Sequence, residues 1–244
     1  MVLRNNTILI TGGSSGLGLE MARKFSTHNK VLICGRNIDK LKQAQEKIPG
    51  IHIFQCDLSE REECRKLAGW VKSNHPECNA LINNAAIVHQ TNFYEDEQII
   101  SKAEDELNTN FLAPLRLIKL LIPVIESNPC PALINITTGL VYAPRALYPI
   151  YNSCKAALHS FTQVLRIQLR DHPITVIEVF FPVVDTPWHQ GNTPDIAITP
   201  NEAVTELIKK LHKGKEEIRI GKVKLLYFLS RLVPRLALKI INKV

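Results

Sequence analysis

The stretch Thr7–Gly18 reads Thr-Ile-Leu-Ile-Thr-Gly-Gly-Ser-Ser-Gly-Leu-Gly. An apolar strand runs directly into a glycine-rich turn, and a helical pattern follows. Glycine permits a tight turn and lets backbone N–H groups come close to a phosphate. The positive end of the following helix then faces the anion. A glycine motif between the first strand and the first helix is far more specific than the same glycines elsewhere. Gly12, Ser14, Ser15, Gly16, Leu17 and Gly18 are therefore candidates to cradle a nucleotide.

The rest of the chain repeats the alternation. Strands are expected at Thr7–Thr11, Val31–Cys34, Ile51–Cys56, Ala80–Asn83, Ala132–Thr137, Thr175–Phe180 and Glu217–Ile220. Helical patterns lie between them, near 16–27, 37–47, 60–74, 103–127, 152–171 and 201–213. Strands that are apolar throughout are buried on both faces, as in a parallel sheet covered by helices. The expected fold is α/β, a single-domain Rossmann-type doubly wound parallel sheet of about seven strands with helices on both faces. Residues 1–221 form that domain, and 222–244 a basic, amphipathic C-terminal segment of it. The stretch 182–200 holds Pro182, Pro187, Pro194 and Pro200 with Gly191, and reads as a mobile lid.

Charge narrows the partners. The 244 residues carry a net +7, but Lys209–Val244 hold eleven basic residues against Glu216 and Glu217. That tail is +9 and the body −2, which argues against a general nucleic-acid surface. Six cysteines show no metal or redox spacing, and Cys34 and Cys56 end apolar runs as small hydrophobes. A reduced, cytoplasmic protein is expected. There is no signal-peptide pattern, and no charge-free apolar run approaches the roughly 20 residues of a membrane span.

The end of the second strand bears on the nucleotide. Sites for NAD commonly place an acid there for the ribose 2′-OH. Here Ile33-Cys34-Gly35-Arg36-Asn37 has no acid, and Arg36 can pair with a 2′-phosphate. NADP(H) is favoured over NAD(H). Asp57, before Leu58, either contacts the adenine or caps the next helix.

Among five tyrosines, only Tyr151 has a lysine four residues on, Lys155. On a helix the two share a face. An ammonium beside a phenol should lower the phenol's pKa from about 10 toward working pH.

With these residues the chain resembles the short-chain dehydrogenase/reductase family. The matches run in order along nearly the whole chain: the turn at 11–18, Asp57, Asn83-Asn84-Ala85, Asn110, Thr138, Tyr151 and Lys155. The resemblance implies an oxidoreductase that moves hydride between nicotinamide and a carbonyl/alcohol pair. It implies Tyr151 as proton donor or acceptor, and Lys155 as ligand of the nicotinamide ribose. It further implies Asn110 holding a relay water, Asn83 and Ala85 lining the adenine side, and Thr186 at the carboxamide. Leu58 belongs to the same cofactor set.

Three departures stand out. Thr138 replaces the usual serine, keeping the hydroxyl but stiffening χ1. Ala86 stands where the family has glycine, and Phe181-Pro182 where it has Pro-Gly. A non-catalytic NADP(H)-binding regulatory or scaffold protein is the alternative, disfavoured by the intact Asn110, Tyr151 and Lys155 set. Candidate substrate-pocket residues are Val88, His89, Leu140, Tyr142, Tyr148, Phe181 and Trp188, suited to an apolar or amphipathic carbonyl compound. The family usually dimerises or tetramerises through helices matching 103–127 and 152–171, which here are apolar on more than one face. In the tail, Arg231, Arg235, Lys239 and Lys243 recur every four residues, with Pro234 kinking or restarting the helix. The pattern suits an arm over the substrate mouth or a neighbouring subunit, or peripheral contact with an anionic membrane.

Overall fold

A computed structural model describes residues 4–187 and 194–243. The elements in chain order are β1 Thr7–Thr11, α1 Gly16–Phe25, β2 Lys30–Gly35, α2 Ile38–Lys47, β3 His52–Gln55, α3 Arg61–Asn74 and β4 Cys78–Asn83. Then come α4 Ile99–Leu107, a π-helical turn Asn108–Leu112, α5 Ala113–Glu126 and β5 Ala132–Thr138. The chain ends with α6 Pro149–Gln168, β6 Thr175–Phe181, α7 Pro200–Leu211, β7 Glu217–Arg219, α8 Val223–Leu232 and α9 Pro234–Asn242. All seven strands pair in parallel, in the order β3-β2-β1-β4-β5-β6-β7. The order reverses between β1 and β4, which opens a crevice at their carboxyl ends.

Alternation along β1 shows why the strands are apolar throughout. Ile8 and Ile10 pack with Met21 and Phe25 of α1 and Leu41 of α2. Leu9 faces the other layer, with Leu67 of α3 and Leu117 and Leu121 of α5. A polar residue at any of these positions would be buried without a partner.

Most element ends fall within two residues of the sequence reading. The largest departures concern two helices. α6 starts three residues early because Pro149, which needs no helical N–H donor, opens it. The helix expected at 103–127 begins at Ile99 and widens at Asn108–Leu112. Ala113 N–H reaches back to Asn108 O there. Pro114 has no N–H, so the Asn110 carbonyl lacks its ordinary donor four residues on. The helical run Ile99–Glu126 is long and apolar enough to span a bilayer by length and composition. The fold uses it as a core helix, with Leu117, Leu121 and Ile125 fully buried. Pro234 restarts the C-terminal helix, so the basic residues from 231 to 243 lie on two helices and not on one continuous face.

Candidate active site

The carboxyl ends of β1, β4, β5 and β6 border one cavity of about 650 Å³. Its floor at the switch point is fixed by Thr11 and Asn84. Thr11 Oγ1 accepts from Asn84 N at 2.9 Å and Ala85 N at 3.0 Å. Asn84 Nδ2 donates to Thr11 O at 2.9 Å. The turn between β1 and α1 leaves no room for a side chain at Gly12 or Gly18. Gly12 has φ +65°, and a Cβ there would sit 2.9 Å from Ala85 Cα. A Cβ on Gly18 would meet Gly12 O at 2.1 Å. Ser15 is the N-cap of α1, yet its side chain makes no cap hydrogen bond. The cradle therefore offers backbone N–H groups, a helix N-terminus and an uncommitted hydroxyl, which together fit a pyrophosphate. Ser14, Ser15, Gly16, Leu17 and Gly18 all line the cavity.

At the adenosine end, Arg36 lines the cavity with Lys40 one turn into α2. Arg36 Nη1 lies 4.0 Å from Asp57 Oδ2, and its side chain is 63% exposed. Lys40 gave no sequence signal, because a lysine on an amphipathic helix looks like an ordinary solvated charge. Asp57 caps no helix. Its Oδ1 accepts from Ser59 N at 3.0 Å and Ser59 Oγ at 2.8 Å, and its side chain lines the cavity with Leu58. Asn83 departs from its expected place. It is buried, and its Nδ2 donates to Asn135 Oδ1 at 2.9 Å, beneath the sheet end. Asn84 and Ala85 line the cavity instead. The cause is position along the chain: Asn83 is the last residue of β4, in register with Asn135 of β5, whereas Asn84 and Ala85 lie just past the strand end, where the crevice opens.

The catalytic end gathers Thr138, Tyr151 and Lys155 on the same cavity. Thr138, closing β5, accepts from Leu140 N at 3.3 Å. Lys155 Nζ donates to Ile136 O at 2.9 Å and lies 5.8 Å from the centre of the Tyr151 ring. Burial pulls the Lys155 ammonium down to about 8. Burial also pushes the Tyr151 phenol up, and the Glu106 carboxylate pushes it further. The expected depression of Tyr151 by Lys155 is thus overturned in the free protein: loss of hydration outweighs the attraction of a cation that is itself poorly solvated. Tyr151 is held as the neutral phenol, the form that donates a proton.

Asn110 is fully buried, and its side chain is committed. Ile87 N donates to its Oδ1 at 2.9 Å, and its Nδ2 donates to Ile87 O at 2.8 Å. The side chain therefore pins the loop after β4.

Two buried carboxylates lie near this end. Glu106 accepts from His89 N at 2.7 Å and sits 3.0 Å from His89 Nδ1, while its Oε2 finds no partner among the described residues. Burial pushes its carboxyl up. Glu178 lies 2.9 Å from His159 Nδ1 and accepts from Thr137 Oγ1 at 2.7 Å. Tyr151, Lys155 and His159 follow at four-residue steps on α6.

Of the expected pocket residues, Leu140, Tyr148 and Phe181 line the cavity, with Thr186 beside Gly16. Val88 does not line it, His89 pairs with Glu106, and Tyr142 stacks on Phe180 at 5.2 Å. Trp188 lies outside the described residues. Ala86 is not among the described non-glycine residues with positive φ, so alanine costs little there. The C-terminal segment, expected as an arm over the substrate mouth or a neighbouring subunit, supplies part of the cavity wall: Leu225, Leu226 and Leu229 of α8, and Ile240 and Ile241 of α9.

A family model described as short chain dehydrogenase matches residues 6–197. The chain belongs to the short-chain dehydrogenase family. It is accordingly an oxidoreductase acting on an alcohol/carbonyl pair with NAD(P). It is 39% identical over 224 residues to an uncharacterized oxidoreductase, DltE, of Bacillus subtilis, covering 89% of each chain. It is 28% identical over 190 residues to a fatty acyl-CoA reductase of Acinetobacter baylyi, covering 76% of this chain and 64% of that protein. The fold matches a short-chain dehydrogenase of Burkholderia cenocepacia in complex with NADP, with TM-score 0.87, 22% identity and 99% of both chains covered. It also matches a Burkholderia phymatum member in complex with NAD, with TM-score 0.84, 16% identity, and 96% and 95% coverage.

Proposed function

We propose that this short-chain dehydrogenase is an NADPH-dependent reductase of apolar carbonyl compounds. One observation carries the reading: Thr138, Tyr151 and Lys155 border the same cavity as the glycine cradle. Bound NADPH would supply the hydride. Gly12–Gly18 would hold the pyrophosphate, and Lys155 the nicotinamide ribose. Arg36 and Lys40 would pair with the 2′-phosphate, which an acid at this point would repel.

The substrate oxygen lies between the Thr138 hydroxyl and the Tyr151 hydroxyl. Tyr151 donates its proton as negative charge develops on that oxygen. The proton is replaced from solvent through Lys155 and a water held near Asn110. Leu140, Phe181, Leu226 and Leu229 give the substrate an apolar wall. Exposed Leu107, Val164 and Ile167 support homodimer or homotetramer formation through α4–α6.

A panel of carbonyl compounds tests the reading by oxidation of NADPH and NADH. NADPH should be the better donor, and long apolar aldehydes or ketones the better acceptors. Tyr151→Phe should cut turnover by about a thousandfold, at the middle of the range for general acid loss, with NADPH affinity unchanged. Wild-type turnover in that variant would end the mechanism. NADPH binding without oxidation by any carbonyl would favour the scaffold alternative.

A further inference from the structure

The outer face of α8 and α9 carries a pattern that the interior of the molecule does not explain. The inner face is spent: Val223 is buried, and Leu226 and Leu229 wall the cavity. Away from the cavity, Phe228 and Leu232, four residues apart, are 50% and 79% exposed, and Leu225 at the cavity rim is 67% exposed. Leu236 of α9 extends the apolar surface. Lys224 and Arg231, seven residues apart, flank the α8 stripe, and Arg235 and Lys239 flank that of α9. No Asp or Glu follows Glu217 in the chain. Lys224, Arg231, Arg235 and Lys239 form no ion pair among the described residues.

The pair of helices is anchored to the body at both ends. The Arg219 guanidinium lies 4.1 Å from the centre of the Tyr227 ring. Asn242 Nδ2 donates to Pro144 O at 3.0 Å, and Ala146 N donates to Asn242 Oδ1 at 2.7 Å. The exposed stripe is therefore a surface of fixed shape.

We propose that α8 and α9 dock on an anionic lipid surface, with the cavity mouth facing it. Apolar side chains bordered by cations are the pattern of a helix lying in a lipid interface. Charge decides against a second copy: a twofold contact would set these cations against their own equivalents. It also decides against nucleic acid, since the centre of the patch is apolar. Resting on the reading of the cavity as a site for apolar carbonyls, docking lets an amphiphilic substrate pass from the lipid between α8 and α9 to Tyr151.

The test is co-sedimentation of the full-length protein with phosphatidylcholine vesicles, with and without phosphatidylglycerol. Binding should be at least about tenfold tighter with the anionic lipid and should weaken as salt is raised. Phe228→Ser/Leu232→Ser/Leu236→Ser should weaken it by at least about tenfold while NADPH affinity stays unchanged. Lys224→Gln/Arg231→Gln/Lys239→Gln changes only exposed side chains and should abolish the preference for anionic lipid. Absence of binding at low salt overturns the proposal, as does unchanged binding in either variant. A wild-type dimer that the serine variant converts to monomer, by sedimentation velocity, overturns it in favour of a subunit contact. None of these readouts requires turnover, so failure of the reductase reading would leave the docking result intact.

Discussion

The two ends of the cavity are made in different ways. The nucleotide end consists of strand-to-helix turns: 11–18 after β1, 35–40 after β2, 57–58 after β3 and 84–87 after β4. Its recognition groups are backbone N–H groups, a helix terminus and short polar side chains. The substrate end consists of apolar side chains from segments far apart in the chain: Leu140, Phe181, Val184, Ile196, Leu226, Leu229 and Ile241. A phosphate demands one local geometry, and a few consecutive residues can supply it. An apolar substrate demands only a shaped wall, which many segments can contribute. One end can therefore stay constant while the other varies.

Lys155 stands at the junction, and it carries the largest expected effect. Its ammonium is buried and pulled down from 10.5 to about 8. Between those values the unfolded chain binds more protons than the folded one, so this group makes stability rise with pH across the window. Below about 8 both states are protonated, and the full destabilisation remains. A shift of this size corresponds to roughly 3 kcal/mol. Tyr151, pushed up, acts with the opposite sign at higher pH. The informative quantity is thus the difference between wild type and Lys155→Met. In denaturant titrations the variant should be the more stable near pH 7, and the gap should close toward pH 10. A pH-independent difference would mean that Lys155 is charged and well solvated in the fold.

The ends themselves can be separated by paired substitutions. Arg36→Ala/Lys40→Ala should weaken NADPH by about tenfold or more, from loss of charged hydrogen bonds, and leave NADH unchanged. KM for the carbonyl compound should not move. Leu229→Ala should raise KM for a long apolar substrate by about tenfold, from one buried leucine, without altering NADPH affinity. If Leu229→Ala weakens NADPH as much as it raises KM, the two ends act as one site and the contrast fails.

The same contrast explains what the sequence made legible. The glycine turn, Arg36, Thr138, Tyr151 and Lys155 were readable because each lies at a fixed offset from a strand end. The parallel sheet was readable because β1, β4 and β5 carry consecutive apolar residues, so both of their faces are buried. Asn83 was misplaced because β4 runs one residue into the Asn83-Asn84-Ala85 motif, so Asn83 pairs with Asn135 inside the sheet and only the residues after it reach the crevice. Asn110, expected to hold a relay water, instead commits its side chain to both backbone groups of Ile87. An arm over the substrate mouth was among the readings of the C-terminal segment, but which of its residues face the cavity was not legible, because its inward and outward residues are equally apolar. Glu106 was invisible for a different reason: a glutamate in Glu104-Asp105-Glu106 looks like a solvated helix face, whereas it is fully buried.

Glu106 offers the smallest effect and a direct reading of Tyr151. Its carboxylate raises the Tyr151 phenol, second only to burial. Glu106→Gln keeps an acceptor for His89 and removes the negative charge. The phenol's pKa should fall, so the alkaline limb of the activity profile should move to lower pH by less than about one unit, as expected for a single charge. Turnover near neutrality should stay within about threefold, because the neutral phenol still predominates there. Stability carries a second signature. Because burial raises the carboxyl of Glu106, its folded form holds a proton that the unfolded form has lost. That contribution is present below the ordinary carboxylate range and disappears as pH rises through the raised value. The glutamine variant should lose this slope while the slope from Lys155 at alkaline pH persists. An alkaline limb that stays in place would disconnect Glu106 from Tyr151 and make the glutamate a brace for the His89 loop alone.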